Sequence, residues 1–269
     1  MKRFCIYGNP TIDLISIGKV KEEAAHGGGS FYSAIPLIER NLKVEVYAAY
    51  SHRLISHPIS AYINVKQYSS TANIFKIEYL GSTRRIRALE LAPSIYPWNM
   101  HEGQCYSIVN PVIGEVSIST LKGIKCGSEL LAVDLQGFLR RVREGELVLD
   151  STPEAMIALE VPDVIHADLE EFLALTLSSN LKDATEKISK RLKGVMVVTI
   201  RPNKSILISS SAVKSIDLPV DYVAENKTGA GDYFTSTYFY YYLLKGDEEN
   251  AAYLAHEHTT TWLRKRAPR

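Results

Sequence analysis

The sequence predicts an α/β fold with a doubly wound, mainly parallel sheet flanked by helices. Two observations carry that prediction. Short apolar runs, bounded by glycines and polar loops, recur along the chain with helix-period segments between them. The chain also has 269 residues, 46% of them hydrophobic, enough to bury a substantial core.

Central strands are expected over residues 4–8, 44–49, 105–110, 130–134, 164–167, 195–200 and 205–208. Helices are expected over 29–40, 114–121, 169–177, 181–192, 230–244 and 248–262. Pro36 interrupts the first helix, which implies a kink or a later start. Two β-prone runs, 73–80 and 83–91, are joined by Gly81-Ser82 and read as a hairpin outside the main sheet. Such a hairpin is either a small lid over a cleft or an ordinary sheet edge. No internal repeat, low-complexity stretch or linker divides the chain, so residues 1–269 read as a single domain.

Thirty-one basic side chains balance 30 acidic ones, leaving a formal net charge of +1. That balance gives no reason to expect nucleic acid or a membrane surface as partner. Arg264-Lys265-Arg266 reads as a solvated helix end. Cys5, Cys105 and Cys126 are odd in number and widely spaced, which suggests buried thiols in a reducing compartment. The opening apolar run is too short for a signal peptide, so a cytoplasmic protein is expected.

The most informative stretch is Asn226-Lys227-Thr228-Gly229-Ala230-Gly231-Asp232, where a loop feeds a long helix. Unpaired N–H groups at a helix start lie at the positive end of the dipole, and small residues there let an anion approach. A carboxylate beside a phosphate repels it unless the carboxylate has a task, such as taking a proton from an attacking hydroxyl. The other reading of Asp232 is a dipole partner in the first turn, with Gly-Ala-Gly a simple turn.

Three features then fall in order: Gly8 with Asp13 after the first strand, Gly27-Gly28-Gly29 opening the first helix, and Thr228–Asp232 opening a late one. Together they resemble the ribokinase-like (PfkB) carbohydrate kinase family, over nearly the whole chain. The resemblance implies a ribokinase-like sheet with a small β lid drawn from inserted segments at roughly 14–26 and 62–92. It makes Asp232 the base that deprotonates the acceptor hydroxyl, with the N–H groups of Gly229, Ala230 and Gly231 as the anion hole. Thr228 and Asn226 are implied beside the donor phosphates. Asp13, Gly28 and Gly29 are implied to hold substrate hydroxyls, because carboxylates accept hydrogen bonds from a polyol and glycines let it approach the backbone. Asp168-Leu169-Glu170-Glu171 falls where the family has Asn-x-x-Glu, which implies Mg²⁺ held through water by Glu171, with Asp168 nearby. An acidic helix start is the alternative there.

The chain departs from the family at several places. Tyr32 replaces an Asn after the paired glycines. The nucleotide-side Thr-x-Gly-x-x-Gly reads here Thr199-Ile200-Arg201-Pro202-Asn203-Lys204, so Thr199 is kept and both glycines are lost; either Arg201 or Lys204 reaches a phosphate, or the stretch is a solvent-facing turn with Thr199 satisfied. Asn110-Pro111 and Asp134-Leu135-Gln136-Gly137-Phe138-Leu139-Arg140 resemble a compact branch that includes myo-inositol kinases. Gln136 is therefore a candidate for a ring hydroxyl or for a structural turn. Arg84, Arg85 and Arg87 lie on the lid hairpin, with Arg85 and Arg87 on one face, either gripping an anionic substrate or guarding an edge strand.

The resemblance implies an ATP- and Mg²⁺-dependent kinase for a small polyol or sugar, a myo-inositol-like cyclitol favoured, acting as a monomer or homodimer. A nucleoside or phosphosugar kinase of the same fold is one alternative. A non-catalytic nucleotide- or sugar-binding regulator is another, and the retained Asp232 argues against it.

Overall fold

The first strand, Arg3–Tyr7, sends alternate side chains into two separate cores. Phe4 and Ile6 pack with Ala34, Phe234 and Phe239 on one face, whereas Cys5 and Tyr7 pack with Val109, Leu131 and Val133 on the other. The same alternation runs through Ser128–Asp134 and Val195–Ile200, which is why these strands read as continuous apolar runs. The computed structural model describes residues 3–18, 22–80, 83–96, 103–200, 202–218, 224 and 226–266.

The main sheet is eight-stranded, in the order Val213–Asp217, Lys204–Ile208, Val195–Ile200, Val164–Asp168, Ser128–Asp134, Cys105–Val109, Arg3–Tyr7, Lys43–Tyr47. From Val195–Ile200 to Lys43–Tyr47 all neighbours are parallel, and the first two strands close the far edge antiparallel. Helices Gly29–Ile38, Ala230–Lys245 and Glu248–Arg266 cover one face, while Ile118–Gly127, Pro153–Ala158, Leu169–Thr176 and Leu181–Ile188 cover the other. The expected doubly wound sheet is thus present. No helix among the described residues is long and apolar enough to cross a membrane.

Several boundaries move, each for a local reason. The helix expected at 114–121 instead runs Ile118–Gly127, capped by the Ser117 hydroxyl, which accepts the Thr120 N–H at 3.1 Å. Gly114 adopts φ 67°, and the buried Glu115 carboxylate accepts the N–H groups of Asn9, Val112 and Ile113 at 3.1, 2.7 and 2.6 Å. A side chain bound to three backbone groups makes that stretch a turn. Pro36 sits inside Gly29–Ile38 without shifting its start. Cys5 and Cys105 are buried as expected, but Cys126 is exposed, because it lies in the last turn of its helix on the outer side.

The second sheet is six-stranded: Arg140–Arg143, Glu146–Leu149, Thr83–Glu90, Asn73–Leu80, Thr11–Ile17, Glu23–Gly27. The hairpin expected from residues 73–91 is at its centre, with Ile77 opposite Ile86 and Tyr79 opposite Arg84. Its Gly81-Ser82 turn lies outside the described residues. The lid also differs from the expected segments. It gains a hairpin from 140–149, its first segment starts at Thr11, and its second starts at Asn73, because Tyr68–Ser69 pairs instead with Tyr50–Ser51. Ile15, Phe75, Ile77, Tyr79 and Val112 form a small core beneath it.

Glu115 joins the turn after the first strand to the loop after Cys105–Val109, and its removal strands three buried donors. Glu115→Ala should lower unfolding free energy by at least about 2 kcal/mol, the cost of leaving buried N–H groups unpaired. Urea denaturation measures this, and unchanged stability would mean those groups have other partners.

Candidate active site

The parallel strands end at Tyr7, Val109, Asp134 and Asp168 on one edge of the sheet, where the connections diverge and open a crevice. The lid sheet forms the opposing wall. Two cavities meet there, a larger one of about 150 Å³ and a smaller one of about 60 Å³. Arg84, Gln136, Arg140, Gly229 and Asp232 line both, so they mark the junction.

Gly229 starts the helix Ala230–Lys245 in the left-handed conformation, φ 82°. A side chain there is excluded twice, by that φ and by Tyr32, whose ring carbons would lie 2.2–2.4 Å from a Cβ. Tyr32, the departure from the family pattern, is therefore the floor of this turn. Its hydroxyl donates to His26 O at 3.1 Å, and Trp262 meets it edge to face. Among the described residues, the N–H groups of Gly229, Gly231 and Asp232 have no acceptor. Ala230 differs from expectation, since its N–H closes the turn onto Lys227 O at 3.1 Å. The open donors are those on either side of it, at the positive end of the helix.

Asp232 is buried in the first turn. Gln136 Nε2 donates to its Oδ1 at 2.6 Å and to Asn110 Oδ1 at 3.0 Å. Asn110 donates to Ser33 Oγ at 2.7 Å, and Ser33 returns to Asp232 O at 3.2 Å. Burial, with the charge of Asp134 behind it, raises the Asp232 carboxyl to about 6, while Arg140, Asn110 and Gln136 oppose the rise. That value suits a base working near neutrality.

Behind Asp232 lies a pair that the sequence reading missed. Asp134 Oδ2 meets His166 Nδ1 at 2.8 Å, both fully enclosed, and Thr235 donates to the same oxygen at 3.1 Å. Burial works against both charges, but their attraction outweighs it, lowering the Asp134 carboxyl and raising the His166 imidazole. Thr199 lies 3.2 Å from His166 Nε2 on the larger cavity's wall. Asp134 opens the Asp134–Arg140 stretch, whereas no spacing in the sequence singles out His166.

Asp168 and Glu171 form a capping box. The Glu171 N–H reaches Asp168 Oδ1 at 2.9 Å, and the Asp168 N–H reaches Glu171 Oε2 at 3.1 Å. Glu171 also faces Arg140 at 3.6 Å. Burial and the charges of Asp168 and Asp134 push its carboxyl up to about 8. The acidic helix start is thus observed as a cap, and the same acids line the larger cavity.

The residues expected to hold substrate hydroxyls, Asp13, Gly28, Gly29 and Gln136, line the smaller cavity. Asp13 accepts the Thr11 hydroxyl at 2.6 Å, and burial raises its carboxyl to about 6 against that hydrogen bond and the charges of Arg84 and Arg140. Gly28 caps the first helix at φ 100°, and a Cβ on Gly29 would lie 2.3 Å from Asn110 O. Phe75, Ile77, Ile86, Val112 and Leu147 close the opposite wall. Thr228 and Asn226 are tied to the lid, for the Tyr79 hydroxyl lies 2.7 Å from Thr228 Oγ1 and donates to Asn226 Oδ1 at 3.4 Å.

Two basic candidates fall elsewhere. Arg85 points to the outer face of its strand, pairs with Glu146 and lines neither cavity, because strand alternation puts Arg84 inward instead. Lys204 pairs with Asp217 at 3.7 Å, and Lys227 lines the larger cavity in its place. Arg201 lies outside the described residues.

No protein-family model matches the chain, and no curated protein matches it. Solved structures do. A pyrophosphate-dependent kinase of the ribokinase family, in a sulfate complex, superposes with TM-score 0.85 at 20% identity, covering 97% of this chain and 95% of that one. The chain has the ribokinase-like fold. The same kind of kinase, bound to a pyrophosphate analogue and myo-inositol, gives TM-score 0.84 at 20% identity over 97% and 94%. A fructokinase from Vibrio cholerae O395 with fructose, ADP and calcium gives 0.77 at 14% over 98% and 93%. An adenosine kinase from Sinorhizobium meliloti gives 0.77 at 13% over 100% and 95%. At these identities the likeness carries the ribokinase-like fold, main sheet and lid together, and the chemistry rests on the side chains.

Gly229→Ala should therefore keep the fold but displace the turn, lowering anion affinity and turnover together, with at least about 10-fold loss in kcat/KM. Steady-state kinetics beside a melting curve measure it. Full activity in a normally folded variant would place the phosphate site away from this turn.

Proposed function

We propose that the protein is a kinase that transfers a terminal phosphoryl group to a hydroxyl of a small neutral polyol or sugar, with a cyclitol favoured. The observation that carries this reading is a buried carboxylate, Asp232, beside unpaired N–H groups at a helix start and at the meeting point of two cavities. The acceptor occupies the smaller cavity with hydroxyls on Asp13 and Gln136. Its apolar ring face meets Ile77, Ile86 and Leu147. The donor phosphates lie in the larger cavity over Gly229 and Gly231, flanked by Arg140 and Lys227. Asp232 takes the acceptor proton as the hydroxyl oxygen bonds to phosphorus, and the bond to the leaving phosphate breaks.

The donor is ATP or pyrophosphate. Loss of both glycines at the nucleotide-side turn, and similarity to pyrophosphate-dependent kinases, favour testing pyrophosphate beside ATP. Mg²⁺ fits as a donor-borne ion. Asp168 and Glu171 offer oxygens at the wall, yet their mutual capping and the Arg140 contact suit contact through water. Bound there, the ion would neutralise phosphate charge. A nucleoside acceptor is a second reading, since an adenosine kinase shares the fold, but the small acceptor cavity favours a single ring.

Turnover with ATP and pyrophosphate on myo-inositol, ribose, fructose, fructose 6-phosphate and adenosine tests this directly. Activity on a neutral polyol or sugar is expected, and activity confined to the nucleoside or the phosphosugar would overturn it. Asp232→Asn should reduce kcat by about 10²–10⁴-fold while preserving donor binding. A base is active only when deprotonated, so with the Asp232 carboxyl at about 6, kcat/KM should fall as pH drops through that value and level off above it. A flat profile from pH 5 to 8, a range chosen to bracket about one unit and more on either side, would remove Asp232 as the titrating base.

A further inference from the structure

Among the described residues of the hairpin formed by Asn73–Leu80 and Thr83–Glu90, Arg84 is the side chain that lines both cavities. It projects from the inner face of Thr83–Glu90, directly opposite Tyr79 on Asn73–Leu80. Tyr79 is the residue whose hydroxyl bonds Thr228, immediately before the Gly229 turn. The hydrogen bond that fastens the lid to the phosphate turn therefore also sets the position of Arg84. Neighbouring arginines are committed: Arg85 pairs with Glu146, and Arg140 faces Glu171. Among the described residues the Arg84 guanidinium makes no hydrogen bond and no ion pair. A guanidinium without an ion pair that lines the same two cavities as Asp232 and Gly229, its charge felt by Asp13, is a poor choice for packing and a good one for a phosphate, which it can bind with two parallel hydrogen bonds.

We propose that Arg84 is a lid-borne phosphate-binding residue that contacts the transferring phosphoryl group, delivered by the Tyr79–Thr228 hydrogen bond as the lid closes. The inference rests on the kinase reading and deepens it. In the transfer, the acceptor oxygen bonds to phosphorus, its proton passes to Asp232, and the leaving phosphate departs with the electrons of the broken bond. The equatorial oxygens stay charged throughout. Arg84 reaches that position from the lid strand Thr83–Glu90 and complements charge that the N–H groups of Gly229 and Gly231 meet from the opposite side.

The test separates this inference from the kinase reading by measuring pyrophosphate binding calorimetrically, with no acceptor present. Arg84→Ala should weaken pyrophosphate binding by at least about 10-fold, the scale of a lost charge-assisted hydrogen bond. Arg84→Lys should recover part of it, and Arg191→Ala, which removes an equal charge from a surface pair with Glu160, should leave binding unchanged. Tyr79→Phe, which keeps the ring and removes the hydroxyl, should lower kcat on a neutral acceptor more than it raises KM, since it acts through lid position. Pyrophosphate binding unchanged by Arg84→Ala would overturn the proposal. So would a loss of turnover confined to phosphorylated acceptors, which would place Arg84 on the acceptor's own phosphate. If wild-type protein binds pyrophosphate through Arg84 but phosphorylates no acceptor, the kinase reading fails and the anion site stands.

Discussion

The site depends on one constraint: the turn at Gly229 lies directly against the ring of Tyr32. With no room for a Cβ and a left-handed backbone, the turn places Gly229 and Gly231 on the cavity wall, their N–H groups without an acceptor among the described residues, and sets Asp232 in the first helical turn. Tyr32 is itself held by Trp262, and Tyr233 stacks on the same indole at 4.7 Å. Arg266 lies over Trp262 and donates to Thr228 O at 2.9 Å. The last turn of the final helix thus braces the residue before the Gly229 turn. Rigid support of this kind matters because electrostatic stabilisation works only if the donors are already aimed when charge develops.

Charge is arranged around that turn in layers. The Asp134–His166 pair lies deepest, Asp232 next, and the guanidinium groups of Arg84 and Arg140 at the cavity junction. Burial raises the Asp232 carboxyl toward neutrality and the Asp134 charge adds to the rise, while attraction to His166 lowers the Asp134 carboxyl. His166 therefore acts at a distance on the candidate base. Glu171 answers Arg140 and caps its helix together with Asp168, so one carboxylate serves structure and electrostatics together.

The main sheet was legible because its strands are buried on both faces and read as apolar runs, and the Thr228–Asp232 stretch because its glycines and carboxylate are contiguous in the chain. Gly28 and Gly29 were legible for the same reason. What escaped was set by three-dimensional neighbours. The Arg140–Arg143 and Glu146–Leu149 strands are short and charged, and only pairing with Thr83–Glu90 makes them part of the lid. The inward arginine depended on strand register, which two adjacent arginines cannot reveal. Ala230 lost its place among the anion donors to a turn closure that needs coordinates to see. Tyr32 looked like a missing polar contact because its partner, Gly229, is 197 positions away in the chain.

The most direct test of this account is a crystal structure with a non-hydrolysable pyrophosphate analogue and a polyol acceptor. The account predicts one phosphate within hydrogen-bond distance of the Gly229 and Gly231 N–H groups, and an acceptor hydroxyl on Asp232 facing it. A phosphate bound away from that turn, or an acceptor whose hydroxyls do not reach Asp232, would contradict it.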